Sequence, residues 1–113
     1  MRVEFLVEAD SELILAADLY DAENPGVGID FISEVRHAVE LILDNNRIGR
    51  IIRVGRAEIL HEFVLDRFPY SIVYRILANR IVIVAVSHQH RRAGYWRSRV
   101  EEPEADYRIP LAA

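Results

Sequence analysis

A chain of 113 residues with 51% apolar and 28% charged residues is large enough for one globular domain and too apolar for a disordered polymer. Cysteine is absent, which excludes disulfides, thiolate nucleophiles and thiolate zinc sites. All fourteen cations are arginine, so no lysine amine can serve as a base or form a Schiff base, in a protein of net charge −4.

The opening MRVEFLVEAD alternates Val3, Phe5 and Val7 with Arg2, Glu4 and Leu6, which predicts a short strand. It has no long apolar stretch, so no signal peptide is expected, and no run approaches the roughly 20 residues of a membrane span. A cytoplasmic location without membrane contact is the expectation. From about Asp10 or Ser11, both good N-cap residues, Leu13, Ala16, Ala17 and Tyr20 recur at helical spacing. Asp10, Glu12, Asp18 and Asp21 fall on the other side of this predicted helix. Asn24-Pro25-Gly26 breaks it, and a second helix is predicted over Val27 to Asp44, with Phe31, Val35, Ala38, Val39, Ile42 and Leu43 as its apolar stripe.

Residues 46–55, with Gly49, Gly55 and three arginines at 47, 50 and 53, read as a loop. A strand is predicted over Ala57 to Leu65, closed by Asp66-Arg67-Phe68-Pro69. Tyr70 to Leu77 and Ile81 to Val86 form a hairpin around Ala78-Asn79-Arg80. The run IVIVAV is apolar at every position, as expected of a central strand covered on both faces. Glu101 to Ala113, acidic and containing Pro103 and Pro110, is expected to be extended or mobile. The order β-α-α-β-β-β predicts an α+β fold: a helical hairpin packed on a mainly antiparallel four-stranded sheet. Residues 1–100 form its single domain and 101–113 an acidic tail.

Charge is segregated along this plan. Residues 1–44 hold eleven acids against two arginines, and residues 45–100 hold eleven arginines against three acids. From Arg67 to Val100 there are seven arginines and no acid, and the basic stretch after His88 is interleaved with Tyr95 and Trp96. A basic, aromatic segment leaving a buried strand suits a polyanion or the acidic groups of a partner.

Other constellations read as structure. Arg75 lies within strand reach of Glu58 or Glu62, and Tyr70 and Tyr74 share a strand face as core aromatics. His88-x-His90 has metal spacing but lacks a further ligand, so neither metal nor cofactor is expected. Gly26-x-Gly28 lacks the preceding strand of a dinucleotide site, and Ser87 beside His88 has no third member for a hydrolase triad. Trp96 either folds back on the core or faces a partner.

Phe68-Pro69-Tyr70 opening a strand, Tyr74-Arg75 within it, and the apolar strand Ile81 to Val86 leading to His88, Arg91 and Arg92 resemble the RelE/ParE superfamily of type II toxin–antitoxin toxins. Ala9, Asp18-Leu19 and the Gly49 loop fit more loosely. The likeness spans roughly residues 2–100, and HQHRRAGYW from His88 to Trp96 resembles the ParE, or plasmid-stabilisation, branch. The resemblance implies a small bacterial toxin, causing growth arrest and neutralised by a cognate antitoxin protein. Its target would be DNA gyrase if ParE-like, or mRNA in the ribosomal A site if RelE-like.

As a gyrase inhibitor the chain would need no catalysis of its own, and Arg91, Arg92, Tyr95, Trp96, Arg97 and Arg99 would form the contact patch. As a ribosome-dependent endoribonuclease it would draw on Arg53, Arg56, His88, His90, Arg91, Arg92 and Tyr95 for base, acid and phosphate contacts. The missing lysines and the acidic overall charge favour the gyrase reading. A non-toxic module that binds antitoxin, or a small RNA-binding domain, is the remaining alternative.

Overall fold

The computed structural model describes residues 1–56, 58–101 and 108–110. Its elements are β1 (Arg2–Leu6), α1 (Val7–Glu23), α2 (Val27–Asp44), β2 (Arg50–Val54), β3 (Glu58–Val64), β4 (Tyr70–Ile76), β5 (Arg80–His88), α3 (Ser98–Glu101) and β6 (Arg108–Pro110). They form a mixed sheet in the order β2-β3-β4-β5-β1-β6, in which only β1 and β5 run parallel. The helical hairpin on a mainly antiparallel sheet is therefore present, but the expected four strands become six among the described residues. The stretch 46–55, read as a loop, contains β2. Its sequence RIIRV does not alternate and is bracketed by glycines, which hides a short edge strand from a period-two reading. Residues 108–110 of the acidic tail are extended as β6, antiparallel to β1. Ala57, expected to open β3, and residues 102–107 and 111–113 of the expected tail lie outside the described residues.

Helix α1 begins at Val7, three residues before the expected start, and Val7 leaves the strand to join it. No side chain caps this end. Ala9 is fully buried, so the chain must turn inward directly after β1, and Glu8 and Asp10 in the first turn suit the positive helix terminus. At the other end Asp21 Oδ1 accepts the Gly26 N–H (3.1 Å) and the Gly28 N–H (2.8 Å), tying α1 to the start of α2. The helices touch at Gly28, where a Cβ would lie 2.4 Å from the Ala17 carbonyl oxygen. No residue but glycine fits there without moving backbone.

The core forms where α1 and α2 meet the sheet. Ile81, Ile83, Val84 and Ala85 have no exposure, and Val82 and Val86 very little, so β5 is buried along its apolar run as expected. A cluster of Tyr20, Phe31, Phe68 and Tyr70, with Phe31–Phe68 and Phe31–Tyr70 centroids 5.1 and 4.9 Å apart, locks the helices to the start of β4. This is the packing role of the Phe68-Pro69-Tyr70 motif. Glu34 on α2 holds the β3–β4 turn by pairing with Arg67 Nε (3.1 Å) and accepting its backbone N–H (3.0 Å).

Tyr74 is fully buried, as a core aromatic should be, yet its hydroxyl is satisfied. It donates to the Asn46 carbonyl (2.8 Å) and accepts the Gly49 N–H (3.0 Å), which fastens the segment leading into β2. His61 stacks on its ring at 5.3 Å. Arg75 pairs with Glu58 at 2.6 Å, the first of its two expected partners, while Glu62 pairs with Arg50 at 2.7 Å.

Candidate functional site

Strand β5 runs out at His88, where Gln89 N–H donates to the Pro69 carbonyl (2.8 Å). The following residues wind through successive tight turns: Arg91 N–H to His88 O, Tyr95 N–H to Arg92 O, Arg97 N–H to Gly94 O and Arg99 N–H to Trp96 O, all within 3.2 Å. Gly94 takes a left-handed φ of 73°, and Arg97 packs across it. These turns fold the basic segment into a compact body against the sheet.

Its anchor lies 87 positions upstream of Arg99, in α1. β1 accompanies β5 only as far as Ile83 and then turns into α1, so the outer edge of β5 beyond that point lacks a neighbouring strand among the described residues. Two side chains take that place. Glu12 Oε1 accepts the Val86 N–H (3.1 Å), and Arg99 Nη1 donates to the Val84 carbonyl (3.0 Å). The two side chains also pair bidentately, Nη1 to Oε1 at 2.8 Å and Nη2 to Oε2 at 3.1 Å, with 14% and 17% of their surfaces exposed. The Tyr95 hydroxyl donates to Glu12 Oε2 in a short hydrogen bond.

Burial, then the adjoining Glu12 carboxylate, push the Tyr95 phenol up to about 12. Burial alone would lower the Arg99 guanidinium, but the Glu12 contact outweighs it and raises it. Tyr95 thus stays protonated across the physiological range. The Arg91 guanidinium lies 4.0 Å from its ring centroid, so the ring is a pedestal for that cation.

Around this anchor lie two concavities. On the sheet face turned away from the helices, a groove of about 530 Å³ is lined by Arg50, Ser71, Ser87, His88, Gln89, Arg91, Arg92, Trp96 and Arg97, among others. A smaller cleft of about 170 Å³ opens on the α1 side, between Leu15 and Leu19 of the helix and Tyr70, His88, Arg91 and Tyr95, with Glu12 also in its wall.

The structure brings His88, Arg91, Arg92, Trp96 and Arg97 together along the groove, with Tyr95 and Arg91 at the cleft. Arg91, Arg92 and Arg97 are exposed and have no carboxylate partner among the described residues. Trp96, open to either reading from sequence, is 5% exposed and joins the core. Arg99, expected on the contact patch, is turned inward to Glu12. Arg53 and Arg56, candidates for a nuclease site, are exposed on β2 and just beyond it and do not line the groove. His88 Nδ1 accepts the His90 N–H (3.0 Å), and the two rings lie 5.0 Å apart. Among the described residues no group of three His, Asp or Glu is placed to hold a metal ion, and no helix is long and apolar enough to cross a membrane. The sequence reading missed Glu12, which its helical spacing had put on the solvent side.

The family profile described as the ParE toxin of type II toxin–antitoxin systems, parDE, matches residues 3–93. Among solved structures, the chromosomal ParDE toxin–antitoxin system from P. aeruginosa superposes with a TM-score of 0.66 at 17% identity, over 78% of this chain and 95% of that one. Comparison with curated proteins returns no significant match. The compact domain with its hairpin on the sheet, and a family match over most of its length, lead to one assignment: the chain belongs to the ParE toxins of type II toxin–antitoxin systems.

Proposed function

We propose that this toxin inhibits DNA gyrase by contact, through Arg91, Arg92 and Arg97, and performs no bond-breaking chemistry of its own. The observation that carries this reading is a set of three exposed arginines, without a carboxylate partner among the described residues, on a segment pinned to the sheet by the Glu12–Arg99 pair. Arginine on a rigid backbone is well suited to interface contacts, because little side-chain or loop entropy is lost on binding. The phenol that a nuclease would enlist, Tyr95, is locked as a neutral donor to Glu12 and is a poor proton-transfer group near neutral pH.

A ribosome-dependent nuclease is the second reading, supported by the groove that His88 lines together with four arginines. Either target lies in the bacterial cytoplasm, consistent with that expected location.

Neutralisation falls to a cognate antitoxin. Ile14, Leu15 and Leu19 are 51%, 61% and 58% exposed along α1, an apolar strip adjoining the cleft that holds Arg91 and Tyr95. A partner helix with apolar anchors and acidic flanks would cover the strip and reach the basic segment together.

The test is brief induction of the toxin in cells, with and without Arg91→Ala/Arg92→Ala/Arg97→Ala, while chromosomal breaks and transcript ends are mapped side by side. Early double-strand breaks with intact mRNA, lost in the variant, are expected. Codon-phased mRNA cuts would establish the nuclease reading instead. Normal growth with neither lesion would leave a non-toxic binding module.

A further inference from the structure

The β2 end of the sheet carries a second basic surface, which meets the groove at Arg50, Ile51 and Ile52 and extends beyond it. β2 is the outer strand there, whereas at the far edge β1 is covered by β6. In a strand paired on one side, every second residue turns its N–H and C=O outward, so β2 offers a ladder that no strand among the described residues fills. Its side chains are of two kinds. Ile51 on β2 and Ile59 on β3 point to one face, by the register Ile51 with His61 and Arg53 with Ile59, and are 54% and 46% exposed. Ile48, just before the strand, is 41% exposed.

Around these run Arg47, Arg50, Arg53 and Arg56, with no acid between Asp44 and Glu58. Arg50 is paired with Glu62, but Arg47, Arg53 and Arg56 are exposed and have no ion-pair partner among the described residues. The Tyr74 hydroxyl, held between Asn46 and Gly49, fixes the entry to this strand, so the edge is presented on rigid backbone.

We infer that the β2 edge is a docking site for an extended, acidic segment of another protein chain, which adds to the sheet as a further antiparallel strand. Main-chain hydrogen bonds would supply the pairing, Ile51 and Ile59 the apolar contact, and Arg47, Arg53 and Arg56 the selection for acid. The same arginines disfavour a second copy of this chain, because pairing β2 with β2 would bring arginines of both strands close together. The inference does not rest on the gyrase reading: Arg47, Arg53 and Arg56, which select for acid, do not line the groove, and of the two isoleucines Ile51 alone borders it.

The probe is a fluorescein-labelled peptide of roughly seven residues alternating Glu with Val, the length of an ordinary strand. Binding to the full chain is followed by anisotropy. Comparison peptides replace Glu by Lys, or the central Val by Pro. The acidic peptide is expected to bind and the Lys peptide not, while proline, which removes a ladder donor, weakens binding roughly tenfold. Arg53→Glu/Arg56→Glu should cost about tenfold or more, and Arg91→Ala/Arg92→Ala/Arg97→Ala should leave affinity unchanged.

These edge residues are exposed, so the variants should fold, which circular dichroism checks directly. Equal binding of the proline peptide would overturn strand addition. Loss of binding in the groove variant alone would move the site to the groove. Concentration-dependent dimerisation abolished by Ile51→Lys would replace the proposal with self-pairing.

Discussion

Removing the Glu12 carboxylate is the sharpest structural perturbation available in this protein. Glu12→Ala deletes the acceptor of four donors at once: the Val86 N–H, the Tyr95 hydroxyl and both terminal nitrogens of Arg99. What remains is a guanidinium only 14% exposed, with the Val84 carbonyl as its one hydrogen-bond partner among the described residues. Breaking one side of a buried pair costs about 3–5 kcal/mol, and the partial access of water here places the expectation near the lower figure, about 3 kcal/mol.

For a domain of this size each kcal/mol lowers Tm by about 4 °C or somewhat more, so Glu12→Ala should melt roughly 12 °C or more below the parent. The largest part of the cost lies in the orphaned charge, so Glu12→Leu/Arg99→Met, which removes both charges, should regain part of the loss, while the Val86 N–H and the Tyr95 hydroxyl still lack their acceptor. Amide exchange should accelerate in residues 91–100 well beyond any change in β4 or α2, because that segment loses its anchor. Differential scanning calorimetry and exchange mass spectrometry read both effects. A Tm fall under about 4 °C, or a double variant no better than Glu12→Ala, would show that the pair is not what holds the basic segment.

Three other outcomes are expected. Tyr95, with its folded pKa pushed up to about 12 against about 10 in the unfolded chain, contributes stability that is complete below about pH 10 and fades by about pH 12. Ultraviolet titration should therefore show a phenol ionising near 12 that disappears in Tyr95→Phe. His61 is held below its usual pKa by burial first and Arg47 second, so the unfolded chain takes up its proton more readily. Stability should fall as pH drops below about 6.5, and His61→Phe, which keeps a ring against Tyr74, should flatten that slope in urea titrations between pH 7 and 5. Leu15→Glu/Leu19→Glu should leave Tm within a few degrees, because both side chains are exposed, yet weaken capture of the cognate antitoxin by roughly a hundredfold in a pull-down titration.

Local signals were readable wherever the chemistry was local. The unbroken run of β5, the helical stripe of α2 and the Arg75–Glu58 pairing on adjacent strands all follow from spacing within one element or between neighbours. β2 was not readable, because Arg50 and Arg53 flank its isoleucines without alternation and both faces of a short edge strand are partly wet. The start of α1 was missed because Asp10 and Ser11 are better caps than Leu6; the burial of Ala9 decides the point and depends on tertiary packing.

The site was half visible. The cluster of arginines announced itself by charge, but which of them reach solvent depends on Glu12. On α1 that residue is one more acid of an acidic helix. Only the turn of β1 into α1, which strips β5 of its neighbour, makes it the partner of Arg99 and the acceptor for Val86. The same event divides the basic segment into an inward set, Trp96 and Arg99, and an outward set, Arg91, Arg92 and Arg97.

The most direct test of the central claim is to add the purified toxin to purified DNA gyrase, supercoiled plasmid and ATP, and to resolve the plasmid forms after protein digestion. The account predicts linear plasmid accumulating with toxin concentration, and its loss on Arg91→Ala/Arg92→Ala/Arg97→Ala with the melting temperature preserved. Undisturbed gyrase turnover at saturating toxin, with mRNA cut on programmed ribosomes by the same preparation, would contradict it.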